Sequence, residues 1–263
     1  MQLATDKMAA EVRGGVGIMT IQNPARRNAI SLEMWQAIET ILASFAADPA
    51  VRVVIVRGGD VAFASGADIS QFETQRADAA QAAAYARISA AGARALAELE
   101  KPLLAMIRGF CLGGGMRFAL AADIRIASED ARFGIPAARL GLGYGHAALE
   151  SLTRLIGPAN TADLLMTARQ VSAREALQMG LVQRVVAPDA LEATTFELAD
   201  TIAENAPLTV RAAKRTLREL GLPPERRDTA LLESLVTECF DSRDYAEGRR
   251  AFLEKRRPVF EGR

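Results

Sequence analysis

Three consecutive glycines, Gly113, Gly114 and Gly115, separate an apolar run that predicts a buried strand from another that predicts a buried helix. Glycine allows the chain to turn tightly and to lie close to a ligand. The first N–H groups of the helix have no intrahelical acceptor, and they carry the positive end of the helix dipole. They can therefore hold an anion, or a carbonyl oxygen that becomes one. A helix start packed closely against its sheet explains the glycines equally well.

The stretch at 109–127, GFCLGGGMRFALAADIRIA, resembles the signature of the enoyl-CoA hydratase/isomerase (crotonase) family. The resemblance covers nearly the whole chain, from NPARRNAIS at 23–31 to EGRRAFLEKRRPVF at 247–260. It implies an α/β fold, a crotonase-like spiral of ββα units followed by an all-helical trimerisation region. It also implies that the backbone N–H of Gly114 donates to the thioester oxygen of an acyl-CoA.

The resemblance places the second donor to that oxygen in the loop FASGAD at 63–68, at the backbone N–H of Ala67. Asp68 can orient this loop by accepting backbone N–H groups. Lys255, with Phe252 beside it, is expected to reach the ligand of a neighbouring subunit, although a solvated basic helix end is an equally good explanation. The full set of residues expected to contact the substrate or its CoA moiety is Arg26, Ala64, Ser65, Gly66, Asp68, Ile69, Phe252 and Lys255.

The chain departs from the family pattern at the residues that transfer protons. The family's hydratases use one glutamate after the glycine triplet, where this chain has Arg117, and another after a proline, where it has Ala137. Related isomerases use an aspartate at the position of Gly145. Hydration needs one group to activate water and one to protonate carbon, and arginine cannot act as a base because it stays protonated. Ordinary hydration is therefore not expected.

Three polar residues remain near the predicted site: Tyr144, His146 and Glu150. Tyr144 corresponds to a tyrosine of a methylmalonyl-CoA decarboxylase branch, although Ala67 and Ile135 replace that branch's other polar site residues. His146 is the only histidine, and its ordinary pKa suits proton transfer. A tyrosine on a surface turn, a histidine at a helix start and a solvated glutamate are the alternative interpretations.

Arg117 has two interpretations of its own. It can pair with a carboxylate on the substrate, which favours a malonyl-type acyl group, or it can form a structural salt bridge. With this residue, the candidate catalytic set is Ala67, Gly114, Arg117, Tyr144 and His146.

Composition narrows the class of protein. The 263 residues carry 32 basic and 32 acidic side chains, and only 5% are aromatic, which disfavours nucleic-acid binding. Cys111 and Cys239 lie far apart and match no metal-ligand spacing. No stretch of the sequence has the length and apolarity of a transmembrane helix or of a signal peptide. We therefore expect a cytoplasmic enzyme without a metal or cofactor, in which coenzyme A belongs to the substrate.

Hydrophobic periodicity, helix caps and chain-breaking residues predict the strands and helices that position the candidate site. Strands are predicted at 16–21, 51–56, 103–107, 123–127 and 182–186, and a short extended piece at 133–136. Helices are predicted from the Ser31 cap to residue 47, over 77–100, after the glycine triplet, from residue 146 to a break at 157–158, and after Ser172. Helices at 189–205, 207–220, 224–240 and 242–256 complete the chain. We therefore predict a core at 1–188 that holds the site, and a helical region at 189–263 that packs on it and on neighbouring subunits.

Three functions follow from these observations. The first is an acyl-CoA lyase of the hydratase type in the broad sense, which stabilises a thioester enolate. The second is a decarboxylase of a malonyl-type acyl-CoA that uses Tyr144, because loss of CO₂ forms the enolate without a base. The third is an acyl-CoA-binding member without catalysis. All three predict a homotrimer or a dimer of trimers.

Overall fold

Two β-sheets form the framework of the protein, whose computed structural model describes residues 3–68 and 78–263. The first sheet has six strands in the order β1-β2-β3-β5-β7-β10, and the second has four in the order β4-β6-β8-β9. Neighbouring strands are parallel except for the pairs β1–β2 and β8–β9. The strands are β1 Met8–Arg13, β2 Val16–Ile21, β3 Val53–Arg57, β4 Ala62–Ala64, β5 Leu103–Ile107, β6 Phe110–Leu112, β7 Ile124–Ser128, β8 Arg132–Gly134, β9 Val171–Ser172 and β10 Arg184–Val186.

Helices connect these strands and then continue alone to the C-terminal end. The α-helices described are α1 Leu32–Ala47, α2 Ala79–Glu98, α3 Gly114–Ala121, α4 His146–Thr167, α5 Ala173–Gln178, α6 Leu191–Ala203, α7 Pro207–Leu220, α8 Thr229–Asp241 and α9 Arg243–Glu254. The described residues also form 3₁₀ turns at Pro24–Arg26, Pro136–Leu140 and Pro224–Arg226. Ser31 caps α1 by accepting from the N–H of Met34, as its sequence position predicts.

The chain winds as a spiral in which each turn gives one strand to each sheet. The successive turns are β3-β4-α2, β5-β6-α3 and β7-β8-α4, so that β3, β5 and β7 are neighbours in one sheet and β4, β6 and β8 in the other. This confirms the predicted spiral of ββα units. Because the strands are parallel, the segments that follow β4 and β6 lie side by side at one edge of the second sheet.

The six-stranded sheet is covered on both faces. One face packs against α1 and α2 through the main apolar core, which includes Trp35, Ile38 and Val54. The other face is covered by α6, which places Leu191 and Ala199 against Val53, Ile55 and other residues of the sheet. Burial on both faces explains why β3 is an almost uninterrupted β-branched run.

The structure also corrects several predicted boundaries. Strands β1, β4, β6 and β9 were not predicted. Of the four strands in the second sheet, β8 alone corresponds to a predicted extended piece. The predicted break at Gly157 is real, since its φ of +77° is not helical, but α4 continues beyond it to Thr167. The predicted helix at 224–240 divides into a 3₁₀ turn and α8. Residue 77, the predicted start of α2, lies outside the described residues.

The helices from α6 onward occupy the region predicted to be all-helical. Asp244 fixes the end of the chain by accepting the N–H groups of Glu261 at 2.7 Å and Gly262 at 2.8 Å. Phe252 and Leu253 on α9 remain about four-fifths exposed. The division at residue 188 and the trimer stay predictions.

Candidate active site

The glycine triplet joins β6 to α3 in a conformation that only glycine adopts readily. Gly113 has φ +48° and ψ −111°, and its N–H donates to the carbonyl of Gly134 on the neighbouring strand at 2.9 Å. Helix α3 begins at Gly114. A Cβ atom added to Gly115 would lie 2.1 Å from the carbonyl oxygen of Ala64, so the helix start packs directly on the end of β4. The triplet therefore serves close packing and an open helix start together.

The segment after β4 is held in an extended form beside Ile30. The N–H of Ile30 donates to Gly66 at 2.8 Å, and the N–H of Asp68 donates to Ile30 at 3.0 Å. Successive residues of an extended chain direct their polar groups to opposite sides, so the N–H of Ala67 is directed away from Ile30. The pairing thus leaves this N–H available on the side of the glycine triplet.

These two segments meet. A Cβ atom added to Gly114 would lie 3.3 Å from the backbone nitrogen of Ala67. Among the residues that the structure describes, neither the N–H of Ala67 nor that of Gly114 has a hydrogen-bond acceptor. Two backbone donors that have no acceptor among the described residues, brought close from two turns of the spiral, can both donate to one anionic oxygen.

Both residues line a cavity of about 390 Å³. Its wall includes Trp35, Tyr85 and Ser89 from α1 and α2, Arg117 from α3, and Ala137 and Tyr144 from the segment that leads to α4. Among the described lining residues there is no aspartate or glutamate, and Arg117 is the one with a formal charge. The cavity therefore offers hydrogen-bond donors and a positive charge.

Tyr144 lies half-buried in this wall and reaches the glycine triplet. Its hydroxyl donates to the backbone carbonyl of Gly113 at 3.1 Å. Burial raises the pKa of the phenol above its ordinary value, and the nearby Arg117 partly opposes this shift. The phenol therefore stays protonated near neutral pH and remains a donor to the peptide that precedes Gly114.

Arg117 lies on the first turns of α3, three residues beyond Gly114. Its guanidinium carbon is 5.1 Å from the ring centre of Trp35, a cation–π distance. Burial lowers the pKa of the guanidinium, and the phenols of Tyr144 and Tyr85 partly oppose this shift. Within the described ranges no carboxylate lies within ion-pair distance of Arg117, so the alternative of a structural salt bridge finds no partner there.

The other predicted residues are distributed differently. His146 begins α4 and is exposed, and it does not contribute to the cavity wall. Glu150 is on the surface in an ion pair with Arg154 at 2.8 Å. The carbonyl of Arg26 accepts from the hydroxyl of Ser65 at 3.2 Å, which places this exposed arginine beside the loop at 63–68.

The remaining expected contacts are only partly brought together. Gly66, with φ +118°, and Ser65 line the cavity, whereas Ala64 and Asp68 are buried behind it. Ile69 lies outside the described residues. Phe252 and Lys255 are exposed at the end of α9 and do not reach the cavity of their own chain.

Sequence reasoning missed Trp35, Tyr85 and Ser89 as parts of the site. Trp35 lies in the helix that is predicted to start at Ser31, but its position against Arg117 depends on how α1 packs. Tyr85 carries a usable signal, since it is the one aromatic residue in the alanine-rich segment predicted at 77–100.

Comparison with known proteins identifies the family of this chain. Residues 11–263 match the sequence profile described as enoyl-CoA hydratase/isomerase. The chain belongs to the enoyl-CoA hydratase/isomerase family. The short-chain-enoyl-CoA hydratase of Clostridium acetobutylicum is 36% identical over 250 residues, which cover 94% of each chain. The crotonyl-CoA hydratase of Syntrophomonas wolfei is 33% identical over 98% of this chain and 99% of its own.

The similarity to solved structures extends over the whole chain. A crystal structure of an enoyl-CoA hydratase/isomerase family protein from Hyphomonas neptunium superposes with a TM-score of 0.93 at 38% identity, over 100% of both chains. The enoyl-CoA hydratase/isomerase fold therefore accounts for both sheets and for the helical C-terminal region. In residues 3–68 and 78–263, no three His, Cys, Asp or Glu side chains group as a metal site requires. None of the described helices has the length and apolarity needed to span a membrane.

Proposed function

We propose that this enoyl-CoA hydratase/isomerase family member acts on an acyl-CoA thioester whose carbonyl oxygen binds between the N–H groups of Ala67 and Gly114. The observation that carries the proposal is the pair of donors without acceptors at the wall of a cavity whose described lining has no carboxylate. The names of the relatives, which include short-chain-enoyl-CoA and crotonyl-CoA hydratases, support a thioester substrate.

Two such donors lower the energy of a thioester enolate. As negative charge moves from the α-carbon onto the thioester oxygen, both N–H bonds to that oxygen strengthen. One donor of this kind typically contributes about 3 kcal/mol to transition-state stabilisation in acyl chemistry. The chemistry that follows from the donors alone is therefore enolate or oxyanion formation, whichever group on the α-carbon leaves or enters.

Among the described residues that line the cavity, no carboxylate is present to transfer the protons that ordinary hydration requires. A hydratase needs one group to activate water and one to deliver a proton to carbon. At the cavity wall, Arg117 and Ala137 occupy the positions where the family resemblance implies glutamates. Arg117 cannot accept a proton, and Ala137 has no polar atom. We infer that the protein hydrates crotonyl-CoA weakly or not at all.

Decarboxylation is the second candidate, and the described cavity lining without Asp or Glu favours it. When a carboxylate on the α-carbon leaves as CO₂, the electron pair of the broken C–C bond flows into the thioester carbonyl. No base is needed to form the enolate, and the two N–H donors stabilise it. Only one proton is then added to the α-carbon, and solvent can supply it.

One screen separates these functions from simple binding. The enzyme is incubated with crotonyl-CoA, methylmalonyl-CoA and ethylmalonyl-CoA, and the products are identified by mass spectrometry. Loss of 44 mass units identifies decarboxylation, and gain of 18 identifies hydration. Tight binding of thioesters without turnover identifies a non-catalytic member. Failure of every CoA thioester to bind contradicts the proposed function itself.

A further inference from the structure

Among the described residues that line the cavity, a single arginine carries a formal charge. Arg117 stands three residues after Gly114 on α3, so the two residues share a face of the helix. The helix thus presents the backbone donor and the guanidinium to the same cavity, which both residues line. A ligand held at Gly114 therefore extends past Arg117.

Another arginine of the same region shows what a structural role looks like in this protein. Arg125, on β7, is 3% exposed, and its guanidinium donates to the backbone carbonyls of Leu181, Ala119 and Ala122. Each of these bonds joins elements of the core. Arg117, in contrast, makes no hydrogen bond or ion pair to another residue in the described ranges.

Holding an unpaired cation in a partly buried wall costs free energy. An ion removed from water loses hydration, and the protein recovers the loss only through a counter-charge and hydrogen bonds. The ring of Trp35, 5.1 Å from the guanidinium, recovers part of this loss through a cation–π contact and leaves the charge and its five N–H donors available. Since no described residue supplies a counter-charge, the partner that the site calls for is an anion, and the cavity leaves room for it.

We propose that Arg117 binds a carboxylate carried by the acyl group, so that the substrate is the CoA thioester of a short dicarboxylic acid. This inference rests on the proposed function, because it takes the thioester oxygen to lie at Ala67 and Gly114. A guanidinium matches a carboxylate with two parallel N–H···O bonds, which selects a planar anion over a neutral chain end. The phenols of Tyr85 and Tyr144 flank this position in the cavity wall.

The proposed ion pair between Arg117 and the carboxylate also indicates which carboxylate of the substrate is bound. An ion pair with Arg117 stabilises the carboxylate as an anion, whereas a carboxylate that leaves as CO₂ must give up its charge to the thioester oxygen. Arg117 would therefore slow the loss of the group that it holds. The carboxylate at Arg117 is accordingly one that is distal to the reacting carbon and is retained in the product.

Equilibrium binding of ligands that need no turnover tests this inference. Succinyl-CoA and glutaryl-CoA are each compared by calorimetry with the corresponding neutral monoamide thioester, which has nearly the same shape. The variants are Arg117→Met, which keeps an apolar side chain of similar length, and Arg117→Lys, which keeps the charge. Arg139→Met serves as the matched control, because Arg139 is exposed on the Pro136–Leu140 turn beside the cavity and does not line it.

We expect the parent enzyme to bind at least one dicarboxylic thioester tenfold or more tightly than its monoamide. This preference disappears in Arg117→Met, is partly restored in Arg117→Lys, and is retained in Arg139→Met. Should the Met variant fail to fold, Arg117→Gln replaces it with the same expectation. A parent enzyme that binds acid and amide equally, or a preference that survives loss of Arg117, overturns the inference while the proposed function stands. If no thioester binds at all, the proposed function fails instead.

Discussion

The hydroxyl of Tyr144 donates a hydrogen bond of 3.1 Å to the backbone carbonyl of Gly113, and the same peptide unit carries the N–H of Gly114, which has no acceptor among the described residues. A hydrogen bond to a peptide carbonyl withdraws electron density from its nitrogen, so the N–H becomes a stronger donor. In the proposed binding mode, Tyr144 acts on the reaction through the peptide that would hold the thioester oxygen, without touching the substrate. This makes it a positioning residue.

Replacing Tyr144 with phenylalanine should therefore weaken the polarisation of the bound thioester. We expect kcat to fall about fivefold to tenfold, which corresponds to one hydrogen bond of about 1 kcal/mol, with little change in the affinity for CoA. Infrared difference spectra should show the thioester carbonyl stretch at a higher frequency than in the parent enzyme. Tyr245→Phe, at an exposed position of α9, is the control. An unchanged carbonyl frequency and unchanged rates on every thioester turned over would eliminate this role.

The backbone N–H of Gly114 can be deleted by substitution, and a matched variant at the same position keeps it. Gly114 is the first residue of α3, a position that tolerates proline, and Gly114→Pro deletes its N–H. Gly114→Ala adds a Cβ in the same tight space, 3.3 Å from the nitrogen of Ala67, but keeps the N–H. We expect kcat of the proline variant to be about a hundredfold or more below that of the alanine variant. Equal rates for the two variants would show that this N–H does not hold the reacting oxygen.

Introducing carboxylates into the cavity tests whether their absence is what limits hydration. Arg117 and Ala137 both line the cavity, so side chains introduced there face the substrate. We expect the double variant Arg117→Glu, Ala137→Glu to hydrate crotonyl-CoA at least tenfold faster than the parent, since one positioned acid or base is typically worth about a hundredfold or more. The single variants are the controls, because each supplies only one of two groups. A parent enzyme that already hydrates rapidly would refute the assignment.

Much of this site was predictable from local sequence, because its backbone donors depend on local conformation. The glycine triplet, the Ser31 cap and the β-branched run of β3 each predict their own structure within a few residues. The second sheet was not predicted, since β4 and β6 have three residues each and show no alternation that a pattern search could detect. Yet the pairing of β4 with β6 is what brings Ala67 next to Gly114.

The side chains of the site were harder to predict because their surroundings come from distant parts of the chain. Arg117 is flanked by Trp35 from α1 and by Tyr85 from α2, and no local pattern indicates that these helices meet above α3. His146 and Tyr144 are two residues apart, but one is exposed and the other lies in the cavity wall. The backbone conformation at Gly143 and Gly145 determines which of the two side chains lies in the cavity wall. Because glycine adopts many conformations, the sequence does not specify this one.

The close packing of α3 on β4 predicts a large effect of one methyl group. A Cβ atom at Gly115 would lie 2.1 Å from the carbonyl oxygen of Ala64, and a backbone atom cannot move aside as a flexible side chain can. We expect Gly115→Ala to lower the free energy of unfolding by about 3 kcal/mol. Gly143→Ala is the control, with no atom within 4 Å of the added Cβ, and should change stability by less than about 1 kcal/mol. Urea titration followed by the fluorescence of Trp35, the only tryptophan, measures both.

The last prediction concerns α6, which covers the outer face of the six-stranded sheet. Leu191 and Ala199 pack there against Val53, Ile55 and the rest of an apolar cluster. A chain that ends at residue 188 lacks this helix and exposes a continuous apolar sheet face, so we expect it to aggregate on expression. A chain that ends at residue 206 keeps α6 and should yield much more soluble protein. Sedimentation of cell extracts compares the two, and equal solubility would mean that α6 is not what protects this face.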